Sequence, residues 1–390
     1  MGNNGYTALV FGASGISGWA IMRQCLGHTS SDSSNTFSRV IGLTNRPLSK
    51  EASLLNAEDE RWELHSGIDL EEDVDAVAEK LKVIQDVDQV THVYFTSYTA
   101  HGSDYQTLKR ANVAILSNAL RAVEKTCPSL VFWTLQTGGK AYGVEFLDKG
   151  IKYEPPLEES APRIPEPWAS NVFYYAQYDT IKQLSEDKKW TFCEIRPDAI
   201  IGFVPQNNAM NLAHAIGLWL AMVRSLEGTG TEVVFPGDEK AFKALHTDTS
   251  QDVLAQFHIY ASLHPEAVSR KAFNIADGEV VTWEQVWPSI CHWFGLKGVG
   301  PDPSKKTGAE WVQDRKGQWG KWVKENGLKV GALEATSWDF MSAIMGAITF
   351  DRQYDLSACR AVGFQEKMET VEGYTRAFER MRVAKIIPSE

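Results

Sequence analysis

Apolar and polar positions come in blocks along the first half of the chain, and the blocks have two periods. Short apolar runs at residues 7–11, 39–44, 90–96, 130–136 and 191–197 have the length of strands. Between them apolar residues recur at helical spacing. In residues 109–124, for example, Ala111, Ile115, Leu116, Ala119 and Val123 fall on one face. Alternating strands and helices imply a parallel sheet covered on both faces, an α/β architecture. After residue 197 the pattern changes. Residues 205–208 read as a loop, 210–226 as a long apolar helix and 272–276 as a strand returning to the sheet. From Trp283 onward the chain is mostly helical and rich in tryptophan. The expected organisation is a nucleotide-binding domain over 1–204, with a returning strand near 272–277. A smaller, discontinuous, mostly helical substrate lobe over 205–390 would close over the ligand.

The first strand runs into Gly12-Ala13-Ser14-Gly15-Ile16-Ser17-Gly18, and residues 19–22 continue with helical character. Glycines at these three positions let the backbone turn sharply and approach a pyrophosphate. The helix N-terminus then offers it free N–H groups and a partial positive charge. The spacing is that of the dinucleotide fingerprint of short-chain dehydrogenases and epimerases; a tight turn with no ligand is the alternative. The fold class is therefore a Rossmann-type doubly wound parallel sheet, with ligands beyond the carboxyl ends of the strands. At the end of the second strand a carboxylate would hold the adenosine ribose and repel a phosphate. Residues 42–47, Gly-Leu-Thr-Asn-Arg-Pro, contain none. Arg46, assisted by Asn45, suits a 2′-phosphate and favours NADPH; otherwise Arg46 is a solvated charge. Asp69 stands where such folds contact adenine, or it caps a helix.

Composition narrows the partners. The 390 residues carry a net charge of −11 and no strongly basic block, so neither nucleic acid nor an anionic membrane surface is expected. The longest nearly apolar stretch, 213–223, is too short to span a bilayer. The run at 7–11 lacks a preceding basic region, so no targeting segment is expected. Five cysteines scattered without metal or disulfide spacing read as buried small residues in a reducing, cytoplasmic compartment. The nine histidines show no ligand spacing, so no metal is expected, and His246 near Asp248 reads as structural.

Two arrangements compete for the chemistry. Tyr178 and Lys182 have the YxxxK spacing of ordinary short-chain dehydrogenases, which would place them on one helix face. The other arrangement combines Leu135-Gln136-Thr137-Gly138-Gly139-Lys140-Ala141-Tyr142 with Phe173-Tyr174-Tyr175.

These last segments resemble the progesterone 5β-reductase/iridoid synthase-like (PRISE) family, a divergent branch of the short-chain dehydrogenases. Its pattern is LQTGxKHY, then NFYYxxED, then RPxxIxGxSP. This chain carries Leu135-Gln136-Thr137-Gly138 with Lys140, then Phe173-Tyr174-Tyr175, then Arg196-Pro197 with Ile200 and Gly202. The likeness continues through Met210-Asn211-Leu212, Phe273-Asn274-Ile275, Glu325-Asn326-Gly327-Leu328 and Gly363-Phe364, and so spans nearly the whole chain. It implies Tyr174 and Lys140 as the catalytic pair. Three positions depart from the pattern. Ala141 replaces a histidine, Tyr178 replaces a glutamate, and Asn45-Arg46 replaces paired arginines.

The resemblance implies conjugate reduction of an α,β-unsaturated carbonyl, with hydride from NADPH and an enolate stabilised by Tyr174 and Lys140. Expected cofactor contacts are Gly12, Ser14, Gly15, Ile16 and Gly18 at the turn, Asn45, Arg46 and Asp69 at the adenosine end, and Thr96, Pro197 and Ile200 nearer the chemistry. Tyr98, Met210 and Trp219 are expected to wall an apolar pocket for a hydrophobic small molecule; core packing is the alternative for each. The partner is thus a small molecule, and a homodimer is compatible with the sequence. A carbonyl reductase using the same tyrosine is the alternative enzyme, with a sugar epimerase behind it. A non-catalytic NADP(H)-binding redox sensor is the alternative of another class.

Overall fold

The computed structural model describes residues 5–29, 36–100, 104–206 and 210–389. Residues 207 and 208 of the expected loop lie outside the described residues, as does the segment before Gly5. In chain order the strands are β1 (Tyr6–Phe11), β2 (Phe37–Thr44), β3 (Trp62–Ser66), β4 (His92–Phe95), β5 (Phe132–Gln136), β6 (Thr191–Pro197), β7 (Ala199–Ile201), β8 (Glu232–Val234), β9 (Asp248–Ser250), β10 (Ala272–Ile275) and β11 (Lys297–Val299). Seven form one sheet in the order β10-β6-β5-β4-β1-β2-β3, and every pair in it is parallel. The order reverses between β1 and β4, the switch point at which a doubly wound sheet opens its ligand crevice.

Two compact units divide the chain. The first comprises residues 1–197, 254–275 and 355–365; the second comprises 198–253, 276–354 and 366–390. Residues 254–275 and 355–365 therefore join the first unit, although the sequence placed only a returning strand there.

The first unit explains its own apolar runs. On one face of the sheet Leu9, Phe11, Ile41, Leu43, Val93, Phe95, Trp133, Leu135 and Phe192 pack with Val77, Leu81, Ile115, Leu116, Ala119 and Val123 from two helices. The alternate residues Ala8, Val10, Val40, Tyr94, Phe132 and Cys193 are equally buried. Strands covered on both sides have no polar face to display, so they read as continuous hydrophobic runs. Helix starts follow from capping carboxylates. Asp73 accepts from the amides of Asp75 and Ala76 at the head of Val74–Lys82. Asp104 accepts from Thr107 N at 2.9 Å and starts the helix Tyr105–Thr126 four residues before the periodicity suggested.

The second unit is mostly helical, with the short parallel pairs β7·β9 and β8·β11. Its helix Leu212–Glu227, started by the Asn211 side chain accepting from His214 N, is buried on nearly every side. Trp219 on that helix is 1 % exposed and stacks on Trp287, with ring centroids 5.5 Å apart. That contact is core packing within the unit. Elsewhere in the same unit the buried Arg352 guanidinium bridges Asp198 (2.5 Å) and Asp248 (3.1 Å), and Tyr374 donates to Asp248. His246 lies 3.8 Å from Asp248, and burial pushes its imidazole down to about 4. It is a neutral structural residue at neutral pH. All five cysteines are buried and free. Among the described residues no helix is long and apolar enough to cross a membrane.

Removing the Trp219 ring leaves Trp287 facing a void. We expect Trp219→Ala to lower unfolding free energy by ~3–5 kcal/mol in denaturant titrations, the usual range for emptying a buried aromatic site. A loss below about 1 kcal/mol would show that the ring is not core.

Candidate functional site

The glycine turn lies at the carboxyl end of β1. Gly12 N and Ala13 N both donate to Leu43 O of β2, at 3.1 and 3.0 Å, and Gly15 N donates to Gly12 O at 2.9 Å. Gly12 has φ +84°, which a side chain at this position would strain. A Cβ on Gly12 would also meet Thr96 Oγ1 at 2.8 Å. A Cβ on Gly18 would stand 2.2 Å from Gly12 O. The first glycine permits the turn, and the third lets the helix Ile16–Gly27 start directly against it. Gly15 caps that helix with no side-chain hydrogen bond, so its first amides remain available. Ser14 is nearly buried, and its hydroxyl lies 3.0 Å from the Thr44 hydroxyl. This cradle fits a dinucleotide pyrophosphate.

Two further contacts gather at the same end of the sheet. Thr96, just past β4, donates through both its amide and its hydroxyl to Phe11 O. Past β2, Thr44 donates to Arg46 O at 2.8 Å, which curls the chain and leaves Asn45 and Arg46 exposed. Asp69 follows β3 and is partly exposed; its carboxylate accepts from Glu71 N at 2.9 Å. The helix cap in this segment is Asp73, not Asp69.

Lys140 sits in the short turn Gly139–Tyr142 after β5, and Tyr174 at the start of the helix Phe173–Leu184. A Cβ placed on Gly138 would lie 3.6 Å from the Tyr174 hydroxyl, so the hydroxyl abuts the loop that carries the lysine. The Lys140 ammonium lies 6.0 Å from the Phe173 ring centroid and pairs with Glu145 at 2.9 Å. Glu145 is part of no motif and was not legible as a site residue.

The neighbouring hydroxyls are engaged. Tyr175 donates to Ala141 O at 2.6 Å, Tyr142 to Asn274 Oδ1 at 2.5 Å, and Tyr178 to Arg270 O at 2.9 Å. Among the described residues the Tyr174 hydroxyl has no hydrogen-bond partner. Burial pushes its phenol well above the ordinary range; Tyr98, Glu145 and Glu194 push the same way. Tyr178 packs edge-on against Phe192, and Lys182 is exposed. The YxxxK spacing therefore brings Tyr178 to a structural carbonyl.

Tyr178 instead lines a cleft of about 600 Å³ in the first unit, with Glu159, Arg163, Glu194, Arg196 and Phe273 around it. Glu159 in its wall accepts from Asn274 N, and Lys271 donates to Ala267 O. Glu194 accepts from Thr137 and Arg196, and Arg163 holds Asp179 through two contacts. Tyr98 is exposed, with its ring 6.0 Å from that of Phe173. Pro197 ends β6 opposite Ile275 of β10. Ile200 and Met210 belong to the second unit. Ile200 pairs with Thr249 between β7 and β9, and Met210 is exposed.

The sheet order and the glycine cradle define a Rossmann-type nucleotide-binding protein. Comparison narrows the class. A family model for the PRISE-like Rossmann-fold domain matches residues 8–388, and the chain belongs to that family. It is 38 % identical to the short chain dehydrogenase sirQ of Leptosphaeria maculans, over 98 % of this chain and 97 % of the relative. It is 30 % identical to the 3-oxo-Δ4,5-steroid 5β-reductase of Arabidopsis thaliana, over 70 % and 68 %. The protein is an oxidoreductase of the short-chain dehydrogenase type. In fold it also matches the Bordetella bronchiseptica enzyme WbmH, solved in complex with NAD+, at a TM-score of 0.58 and 13 % identity over 97 % of this chain and 98 % of that one.

The turn gives a direct test. Gly18→Ala forces its methyl against Gly12 O and opens the cradle. We expect dinucleotide affinity to fall by more than about tenfold in titrations. Unchanged affinity would place the nucleotide elsewhere.

Proposed function

We propose that the protein is an NADPH-dependent reductase of the activated C=C bond in an α,β-unsaturated carbonyl carried by a hydrophobic small molecule. The observation that carries this reading is the Tyr174 hydroxyl. It has no hydrogen-bond partner among the described residues, it abuts the Lys140 loop, and it belongs to a phenol that stays protonated at neutral pH. Such a group suits donation to a substrate oxygen on which negative charge develops. The steroid 5β-reductase named among the relatives supports the same reaction class.

Residues 1–204 would hold the nucleotide and 205–390 would supply the substrate lobe. The turn amides around Gly12, Ser14, Gly15, Ile16 and Gly18 would hold the pyrophosphate, with Thr96 and Pro197 toward the nicotinamide end. Asn45 and Arg46 would take the adenosine phosphate, beside Asp69. When bound, the nicotinamide supplies the hydride. The chain's own residues do the rest. Tyr174 donates to the carbonyl oxygen as the enolate forms, a contribution on the order of 3 kcal/mol. Lys140, on the loop that abuts that hydroxyl, would bring positive charge to the site. Tyr98 would offer apolar surface for substrate selection.

Two experiments test the reading. NADPH consumption with a panel of enones, and product identification by mass and NMR, should give the saturated carbonyl; an allylic alcohol would mean carbonyl reduction instead. On one enone, Tyr174→Phe should lower kcat by at least ~100-fold with NADPH still bound. Tyr178→Phe and Lys182→Ala should keep most activity. A dead Tyr178→Phe beside an active Tyr174→Phe would move the chemistry to the YxxxK pair. For the cofactor, Arg46→Ala should weaken NADPH binding far more than NADH binding, because only NADPH carries the phosphate that the guanidinium would hold. Equal losses would assign Arg46 to the surface.

A further inference from the structure

Glu145 is five residues beyond Lys140 and reaches back to it across a built turn. Gly143 makes the turn at φ +73°, with its amide donating to Lys140 O at 3.0 Å. A Cβ there would strike Ile164 Cγ2 at 2.7 Å, so the turn requires glycine. The next segment, Val144–Lys149, is pinned by Phe146, which is buried, stacks on Trp168 at 5.6 Å and contacts the Tyr105 ring at 5.1 Å. Glu145, between the turn and this anchor, therefore has its backbone fixed. Its Oε1 meets Lys140 Nζ at 2.9 Å.

Both side chains are about one-third exposed, at 32 % and 31 %. An ion pair that open adds little to folding stability. Its consequence lies in the charge balance at Tyr174. An uncompensated ammonium beside a phenol favours the phenolate, which cannot donate a hydrogen bond. A carboxylate on the ammonium offsets that pull.

We propose that Glu145 is a positioning residue that anchors the Lys140 ammonium on the loop that abuts Tyr174 and adds its own negative charge there, so that the pair reinforces the tyrosine as a hydrogen-bond donor. This rests on the assignment of Tyr174 and Lys140 as the reacting pair. The titratable groups that act on Tyr174 are Tyr98 after β4, Glu145 from the loop after β5 and Glu194 on β6; Tyr105, on the helix Tyr105–Thr126, feels both Glu145 and Lys140. Of these, Glu145 is the one bonded to the lysine.

The test uses the full chain and needs no substrate. Tyrosinate ultraviolet absorbance is titrated for the protein and its Tyr174→Phe form, and the difference isolates Tyr174. The same pair of measurements is made in Glu145→Gln and Glu145→Asp backgrounds. We expect the Tyr174 midpoint to fall by at least about half a pH unit in Glu145→Gln and to return in Glu145→Asp. Once an enone substrate is in hand, the alkaline limb of the kcat profile should move down by the same amount. An unmoved midpoint in Glu145→Gln overturns the role of Glu145, even where enone reduction stands. A moved midpoint upholds it even where Tyr174→Phe turns over enones normally, an outcome that would sink the reaction assignment alone.

Discussion

Parallel pairing is the constraint on which the first unit depends. Because all seven strands of the sheet run the same way, their carboxyl ends lie on one edge. The Gly12 turn, the Asn45-Arg46 bend, Thr96 and the Lys140 loop each follow a different strand, yet all leave from that edge. The backbone hydrogen bonds that close the sheet also hold the turn. Leu43 O accepts from Gly12 and Ala13, and Phe11 O accepts from Thr96. The cradle is an extension of the β1·β2 and β1·β4 ladders, and its glycines are needed because the backbone is this crowded.

Within that frame the tyrosines divide by what their hydroxyls touch. Tyr175 and Tyr178 satisfy main-chain carbonyls, and Tyr142 satisfies Asn274. Engaged hydroxyls of this kind hold the loop after β5 and the segment before β10 in place. Tyr174, packed against the Phe173 ring at 4.4 Å, is the hydroxyl left over. Its phenol is hard to ionise because its surroundings are apolar and negatively charged. The Lys140–Glu145 pair keeps the ammonium of the loop after β5 together with its counter-charge.

Legibility in the sequence followed burial. Six of the seven sheet strands, the returning β10 among them, were plain because buried strands leave short continuous apolar runs. Strand β3 was not marked. Its residues Trp62-Glu63-Leu64-His65-Ser66 lie at an edge, and Glu63 pairs there with Arg39 and His65. An edge strand with one wet face carries charges that break the run. Trp219 was read as a pocket wall beside core packing as the alternative, and its stacking on Trp287 decides for packing. A tryptophan on a helix buried nearly all round carries no mark of what it faces.

By itself the sequence determined the α/β class and the glycine turn, because these depend on local period and on residues adjacent in the chain; Lys140 and Tyr174 were singled out only by the resemblance to the family's motifs. Which tyrosine hydroxyl remains available was decided only in the tertiary structure. Tyr178 is tied to a carbonyl 92 residues away and Tyr175 to one 34 residues away. Main-chain acceptors have no sequence signature, since every residue has one. The pairing of Glu145 with Lys140 was decided the same way. The five-residue spacing says nothing until the Gly143 turn and the buried Phe146 ring bring the two charges within hydrogen-bond reach.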